Sequence, residues 1–123
     1  MKIIEAIDRL DELKPNTYPL SDKIGWLSTL DGIIKRDIID KHDGGEGVVF
    51  EGYTKDTPLS TELLIGEPYE EMYISFMESK IDYYNAEIIK YNNSVTRYND
   101  AFQAFSNDYN RNHMPKGKKI KYF

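Results

Sequence analysis

The chain of 123 residues contains no cysteine and only two histidines, His42 and His113. Without thiols it can form neither disulfides nor thiolate metal sites, so a reducing cytosol is the expected setting. No stretch reaches the roughly 18 consecutive apolar residues of a membrane-spanning helix. The first ten residues, MKIIEAIDRL, lack the pattern of a signal peptide. We therefore expect neither a membrane anchor nor secretion.

Catalytic motifs are also absent. The sequence has no glycine-rich phosphate loop, no nucleophile elbow and no His-Glu-x-x-His pair. A cluster of Asp40, His42, Asp43 and Glu46 lies among three glycines, but its spacing matches neither an EF-hand loop nor a zinc motif. A mechanism based on paired carboxylates stays open only because acidic residues are so common here. We expect no enzyme, no cofactor and no metal.

Charge is unevenly distributed along the chain. The net charge is −5, yet residues 116–123 carry four lysines and no acid. Residues 1–115 therefore hold 12 basic and 21 acidic groups, a net charge of −9. Such a body should repel DNA, and only the C-terminal segment could attract it.

What the chain does have is an apolar residue at every third and then fourth position over its C-terminal half. This spacing predicts one long helix or two helices in the same phase, with a narrow seam for another helical surface. We favour a continuous helix over residues 69–112, with Asn92-Asn93-Ser94 as the candidate break. The seam comprises Ile74, Met77, Ile81, Tyr84, Ile88, Tyr91, Val95, Tyr98, Phe102, Phe105 and Tyr109.

The half of the seam beyond residue 90 has polar flanks, which is typical of a helix that projects from the core and meets another chain. We predict that this projecting half forms the subunit or partner interface. Its residues are Tyr91, Val95, Tyr98, Phe102, Phe105 and Tyr109.

The N-terminal third predicts two shorter helices. Residues 2–14 have a helical apolar stripe that ends at Pro15, and residues 22–41 have a second one with Ser21 as N-cap. Residues 44–66 contain two short apolar runs, which form either a hairpin or extended segments across the helices. The fold class is all-α: a small bundle with two N-terminal helices and a long C-terminal helix or helix pair. One domain spans 1–112 with a loop insertion at 42–67.

A basic C-terminal arm is predicted over residues 113–123. It is either a solubilising end or a segment that orders on a partner, with apolar anchors among its lysines. The residues expected to dock are Lys116, Lys118, Lys119, Ile120, Lys121, Tyr122 and Phe123.

Five segments resemble the head–tail connector proteins (adaptor or head-completion proteins) of long-tailed bacteriophages and of prophages in Gram-positive bacteria. They occur in the same order along nearly the whole chain, although residues 43–63 show little similarity. The segments are DELKPN at 11–16, KIGWLSTLDG at 23–32, PYEEMY at 68–73, YNNS at 91–94 and YNRNHMP at 109–115.

This resemblance implies a structural protein of the virion neck, assembled in the cytoplasm of the bacterial host. It implies a homo-oligomeric ring of about 12 copies beneath the portal protein, which extends the channel for packaged DNA without binding it specifically. The ring would offer a platform to the next neck or tail-completion protein, and residues 112–123 would reach the portal. The alternatives are another phage assembly protein (a tail-completion or scaffold-like factor), an enzyme that uses surface carboxylates, or a nucleic-acid-binding module acting through the basic arm.

Overall fold

The structure, a computed structural model, describes residues 1–114. Its helices are α1 (Ile3–Leu13), α2 (Leu20–Asp37), α3 (Glu71–Tyr84) and α4 (Ile88–Asn112), and a short 3-10 helix (Ile39–Lys41) follows α2. Within residues 1–114 there is no strand, and an isolated β-bridge joins Lys2 to Glu62. The prediction of an all-α bundle is confirmed.

Helix α1 begins and ends close to the predicted positions because its apolar residues have helical spacing and Pro15 follows it. Helix α2 differs at both ends. It begins at Leu20 after Pro19, so Ser21 lies inside the helix instead of capping it, and it ends at Asp37. The backbone then tightens into the 3-10 helix, which accounts for the helical pattern up to residue 41.

The C-terminal half is a helical hairpin, so the favoured continuous helix was wrong and the helix pair is realised. The chain reverses at Asn85–Glu87, and Asn92-Asn93-Ser94 lie within α4. Ala86 takes a left-handed conformation with φ of 58°. Its N–H donates to the Tyr83 carbonyl at 3.1 Å, and the Glu87 N–H donates to the Asp82 carbonyl at 3.0 Å. These two bonds form a Schellman motif, which ends α3.

Helix α4 packs antiparallel on α3 and does not project as an arm. Phe76 meets Tyr98 with ring centroids 5.1 Å apart, and Tyr69 meets Phe105 at 5.6 Å. The other sides of α3 are covered by α1 and α2, so α3 is the central helix. Its buried apolar residues are Met72, Tyr73, Ile74, Phe76, Met77 and Ile81.

The predicted insertion is not a hairpin. It crosses the helices as irregular, mostly extended chain and places Leu63 and Ile65 in the core. The N–H groups of Ile3 and Ile4, in the first turn of α1, donate to the Thr61 and Leu59 carbonyls, each at 3.0 Å. The insertion thereby satisfies amides that a helix N-terminus leaves without intrahelical partners.

A buried carboxylate ties this insertion to the bundle. Asp31 of α2 accepts hydrogen bonds from the Tyr53 hydroxyl at 2.5 Å, the Tyr73 hydroxyl at 2.6 Å and the Leu64 N–H at 3.1 Å. The Tyr73 hydroxyl also accepts a bond from the Ile65 N–H at 3.0 Å. Burial raises the pKa of Asp31 above its ordinary value, although the three donors oppose that shift.

The C-terminal end of α4 is held at the opposite end of the hairpin from the turn. The His113 ring stacks on Tyr109 with centroids 3.8 Å apart, and the Asp43 N–H donates to the Met114 carbonyl at 2.8 Å. The first two residues of the predicted arm therefore contact the body. The remaining arm residues, 115–123, lie outside the described part of the chain.

Candidate interaction surface

Six exposed, large apolar residues gather at one end of the bundle. We call them the apolar tip: Leu13, Leu20, Tyr83, Tyr84, Ile88 and Ile89. The last four flank the α3–α4 turn. Leu13 precedes Lys14, whose ammonium lies 2.6 Å from Asp82 in the last turn of α3. Leu20 begins α2, next to the connector whose Tyr18 reaches the turn.

The tip is exposed because too many apolar residues lie close together in the sequence. Tyr83-Tyr84 and Ile88-Ile89 stand on either side of a three-residue turn at the end of the bundle. Neighbours on a helix point about 100° apart, and adjacent residues are buried together only where the helix is covered on several sides, as at Met72-Tyr73-Ile74 of α3. Ile88 and Ile89 remain 72% and 79% exposed.

Aromatic rings behind the tip hold its residues in place. Trp26 of α2 stacks on Tyr84 with centroids 6.2 Å apart and an interplanar angle of 14°. Tyr18 contacts both rings, and its hydroxyl donates to Asn85 Oδ1 at 2.6 Å. The connector between α1 and α2 is therefore bound to the turn of the hairpin.

A buried polar anchor lies directly beneath the turn. Asp82 is only 1% exposed and takes a hydrogen bond from Lys14 Nζ at 2.6 Å and another from Ser94 Oγ at 2.9 Å. The carboxylate thus links the end of α1, the end of α3 and the second turn of α4. Because the turn is anchored in this way, the apolar residues beside it have little freedom to move toward the core.

A groove of about 290 Å³ runs between α3 and α4 beside the tip. Tyr91, Val95 and Tyr98 of α4 line it and face Phe76 and Tyr83 of α3. Lys80 and Asn99 also line it, with Lys80 Nζ 5.1 Å from the centre of the Phe76 ring. Burial raises the pKa of Tyr98 to about 12.

The predicted interface residues therefore divide into three groups. Tyr91, Val95 and Tyr98 line the groove and remain candidates for contact with another chain, although Tyr98 also packs on the core. Phe102 and Tyr109 are partly buried against the chain's own core and do not line the groove. Phe105 is 3% exposed and packs on Tyr69, so it belongs to the core of this chain and is corrected as an interface residue.

Sequence reasoning missed the tip as a surface. It assigned Tyr84 and Ile88 to a continuous seam. The available signal was the density of large apolar residues in YYNAEII at 83–89, which exceeds what one helical face can bury. The predicted docking residues Lys116, Lys118, Lys119, Ile120, Lys121, Tyr122 and Phe123 fall outside the described residues.

Charges around the tip and groove are mixed in sign. Lys80 and Lys90 are basic, Asp22 and Glu87 are acidic, and Lys90 Nζ lies 3.0 Å from Glu87 Oε2. Residues 1–114 as a whole carry a net charge of −9, since Pro115 adds none. The apolar surface is therefore the part of an acidic body where charge is nearly balanced.

The other polar clusters make internal contacts. The buried His42 ring has Nδ1 2.5 Å from the Ile38 carbonyl oxygen and Nε2 2.6 Å from Asn110 Oδ1. Within residues 1–114, no three His, Asp or Glu side chains are arranged to hold a metal ion. Among the helices described, none is both long and apolar enough to span a membrane.

Comparison of the chain with protein-family models, with characterised proteins and with solved structures gave no match.

Proposed function

We propose that this protein is a non-catalytic structural component of a phage neck, a head–tail connector that assembles as a ring between portal and tail. The observation that carries the proposal is the apolar tip beside an open groove on an otherwise acidic body. The resemblance of the five segments to head–tail connectors supplies the phage setting.

The size of the apolar surface supports a role in protein contact. With on the order of 200 Å² for a large side chain, the exposures of the six tip residues correspond to about 700 Å². The largest apolar patch of a typical monomer covers ~300–600 Å², whereas a standard protein interface covers ~800 Å² on each partner. The summed exposure is comparable to what one partner contributes to a protein interface, which supports a role in protein contact.

The positions of the two ends of α4 support two separate sets of contacts, one between subunits and one with the portal. The 25 residues of α4 extend about 37 Å at 1.5 Å per residue. The tip lies at the start of α4, and Met114 lies just beyond its end. A docking arm that follows Met114 would reach a partner far from the tip, so subunit contacts and portal contacts use different surfaces in this proposal.

The acidic body supports the role of a channel wall. A net charge of −9 over residues 1–114 repels the DNA phosphates. Packaged DNA would then pass through the ring without being retained.

The experiment is co-expression of the full chain with a portal protein, followed by affinity purification of the portal. We expect co-purification of the full chain and its loss when residues 116–123 are deleted, with the helical circular dichroism spectrum unchanged. A full chain that does not associate with the portal, and that is absent from finished particles by mass spectrometry, contradicts the connector role.

A second candidate is another phage assembly protein, such as a tail-completion or scaffold-like factor. The exposed tip favours it as much as it favours a connector, because both need protein contacts. Mass spectrometry of finished particles separates the two, since a scaffold-like factor leaves the particle and a connector stays in it.

A further inference from the structure

We propose that the subunits join through a knob-and-groove contact, in which Ile88 and Ile89 of one copy insert between α3 and α4 of the next copy. We call these two isoleucines the knob, and the space lined by Tyr91, Val95 and Tyr98 the groove. The inference rests on the proposed ring and names the residues that close it.

The knob is rigid and fully presented. Ile88 and Ile89 open α4, immediately after a turn fixed by two backbone hydrogen bonds and by the Asp82 anchor. Their exposures of 72% and 79% show that neither side chain occupies the groove of its own chain. An ordered apolar projection loses little conformational freedom on binding, which favours association.

The groove has the chemistry that such a knob needs. Its walls are mostly aromatic and aliphatic, and its volume of about 290 Å³ is ample for a branched aliphatic side chain. Ser79, Lys80 and Asn99 add polar groups to the lining. A mainly apolar surface with a few polar groups is typical of protein interfaces.

A second copy of this chain is the occupant that the charges favour. The charged residues that line the hollows of the tip and groove are Asp22, Asp82, Glu87, Lys80 and Lys90, and Lys14 pairs with Asp82, so a strongly acidic or basic partner finds no complementary field there. Two copies of a −9 body repel each other at a distance, and they can approach where local charge is balanced. The knob and the other four tip residues together expose about 700 Å², against the ~800 Å² that each partner supplies to a standard interface.

In this proposal the contact is head-to-tail, so that the knob and the groove of one copy engage two different neighbours. Tyr91 stands between knob and groove, since it lines the groove and also the hollow beside Ile88. A copy that gives its knob to one neighbour keeps its groove for another. Repetition of one such heterologous contact closes into a ring when the rotation between copies divides a full turn.

Paired variants test the contact. The full chain with Ile88→Gln and Ile89→Gln lacks the knob, and the full chain with Val95→Lys and Asn99→Lys has a blocked groove. We expect each to be monomeric in sedimentation velocity at concentrations where the unchanged chain forms oligomers. Val49→Gln is the matched control, because Val49 is 76% exposed and lies in the insertion; it should assemble normally.

Mixing the two monomeric variants gives the sharper result. One has an intact groove and the other an intact knob, so together they can form one productive contact. We expect a 1:1 heterodimer in native mass spectrometry and no larger species. A mixture that stays monomeric overturns the head-to-tail contact.

Cross-linking supplies a test that does not depend on the folding of the blocked-groove variant. The chain has no cysteine, so Ile89→Cys combined with Asn99→Cys introduces two defined thiols. Ten residues of helix separate them by about 15 Å, too far for a disulfide within one copy. We expect a ladder of disulfide-linked oligomers on oxidation, and none from Val49→Cys with Asn99→Cys.

The outcomes also separate this inference from the connector proposal. Normal assembly of the knob-less variant, or absence of the ladder in an assembling chain, overturns the knob-and-groove contact and leaves the connector role standing. A chain that is monomeric alone and on the portal overturns the contact as well. Failure of the unchanged chain to bind the portal or enter particles tells against the connector role, whatever the ladder shows.

Discussion

Ser94 of α4 donates a hydrogen bond of 2.9 Å to Asp82 of α3 across the hairpin. Both residues are buried, and Lys14 of α1 completes the site from the other side. The polar pair fixes the register of the two helices one turn away from the apolar tip. The geometry of the proposed knob therefore depends on a carboxylate that no other chain touches.

The first prediction concerns this anchor. Asp82→Ala leaves the partly buried Lys14 ammonium without its partner, and we expect the free energy of unfolding to fall by about 2–4 kcal/mol. Ser94→Ala should cost only about 1 kcal/mol, because its hydroxyl supplies one hydrogen bond to the carboxylate. Urea denaturation measures both. Asp8→Ala, at an exposed position on α1, is the control and should change stability by less than about 0.5 kcal/mol. Equal effects of Asp82→Ala and Asp8→Ala contradict the anchor.

The second prediction tests the turn itself. Ala86 has a φ of 58°, a conformation that costs a residue with a Cβ about 1–2 kcal/mol. We expect Ala86→Gly to raise the free energy of unfolding by about 0.5–1 kcal/mol, the usual gain where glycine suits the backbone. Ala104→Gly, exposed inside α4, should lower it by about 1 kcal/mol. If residue 86 lay inside a continuous helix, Ala86→Gly would instead lower the free energy of unfolding. Thermal or urea unfolding of the two variants therefore decides between a helical hairpin and one continuous helix.

The position of that turn explains why the C-terminal half was only partly predictable from the sequence. The three-four spacing correctly marks residues 74–84 and 88–109 as helical, but not the turn between them. From Tyr84 to Ile88 the interval is four residues, so the turn leaves the phase of the pattern unchanged. Ala86 is neither glycine nor proline and gives no signal for a break. Periodicity records which residues are apolar and does not record a reversal of the chain.

The break suggested at Asn92-Asn93-Ser94 was wrong for a local reason. These residues are weak helix formers in isolation. In the fold, the Ser94 hydroxyl is shared between Asp82 and the carbonyls of Lys90 and Tyr91 at 3.0 and 3.2 Å. Tertiary contact therefore stabilises the helix where intrinsic propensity disfavours it.

Of the six predicted interface residues, Tyr91, Val95 and Tyr98 line the groove, and their contact with another chain stays a prediction. Phe105 follows the same seam pattern and is buried by Tyr69, a contact created by the reversal of the chain. The tip was missed because the chain reverses at Asn85–Glu87, which brings Tyr83-Tyr84 and Ile88-Ile89 together at one end of the bundle.

The third prediction concerns pH and Asp31. Burial raises the pKa of this carboxyl, so the folded protein binds its proton more tightly than the unfolded chain does. The associated stability is present below the ordinary pKa of 3.8 and is lost as the pH rises through the folded-state value. Asp31→Asn abolishes this dependence. We expect the unfolding free energy of the unchanged chain, relative to that of the variant, to decrease from pH 3 toward neutrality in urea titrations. A difference that is constant with pH contradicts the shift.

The last prediction concerns Tyr98 on the groove wall. Burial raises the pKa of its phenol from 10.0 to about 12. Because the folded-state value is the higher one, the associated stability is present below pH 10 and is lost as the pH rises through about 12. In the knob-less variant, which is expected to be monomeric, we compare the ultraviolet titration with and without Tyr98→Phe. The difference should show one phenolate that forms near pH 12.

In the assembled ring a neighbour's isoleucines would cover the groove and desolvate the Tyr98 phenol further, so its titration should move to higher pH. A difference curve centred at the ordinary value in both states contradicts the partial burial of Tyr98, and a midpoint that assembly leaves unchanged contradicts the filled groove.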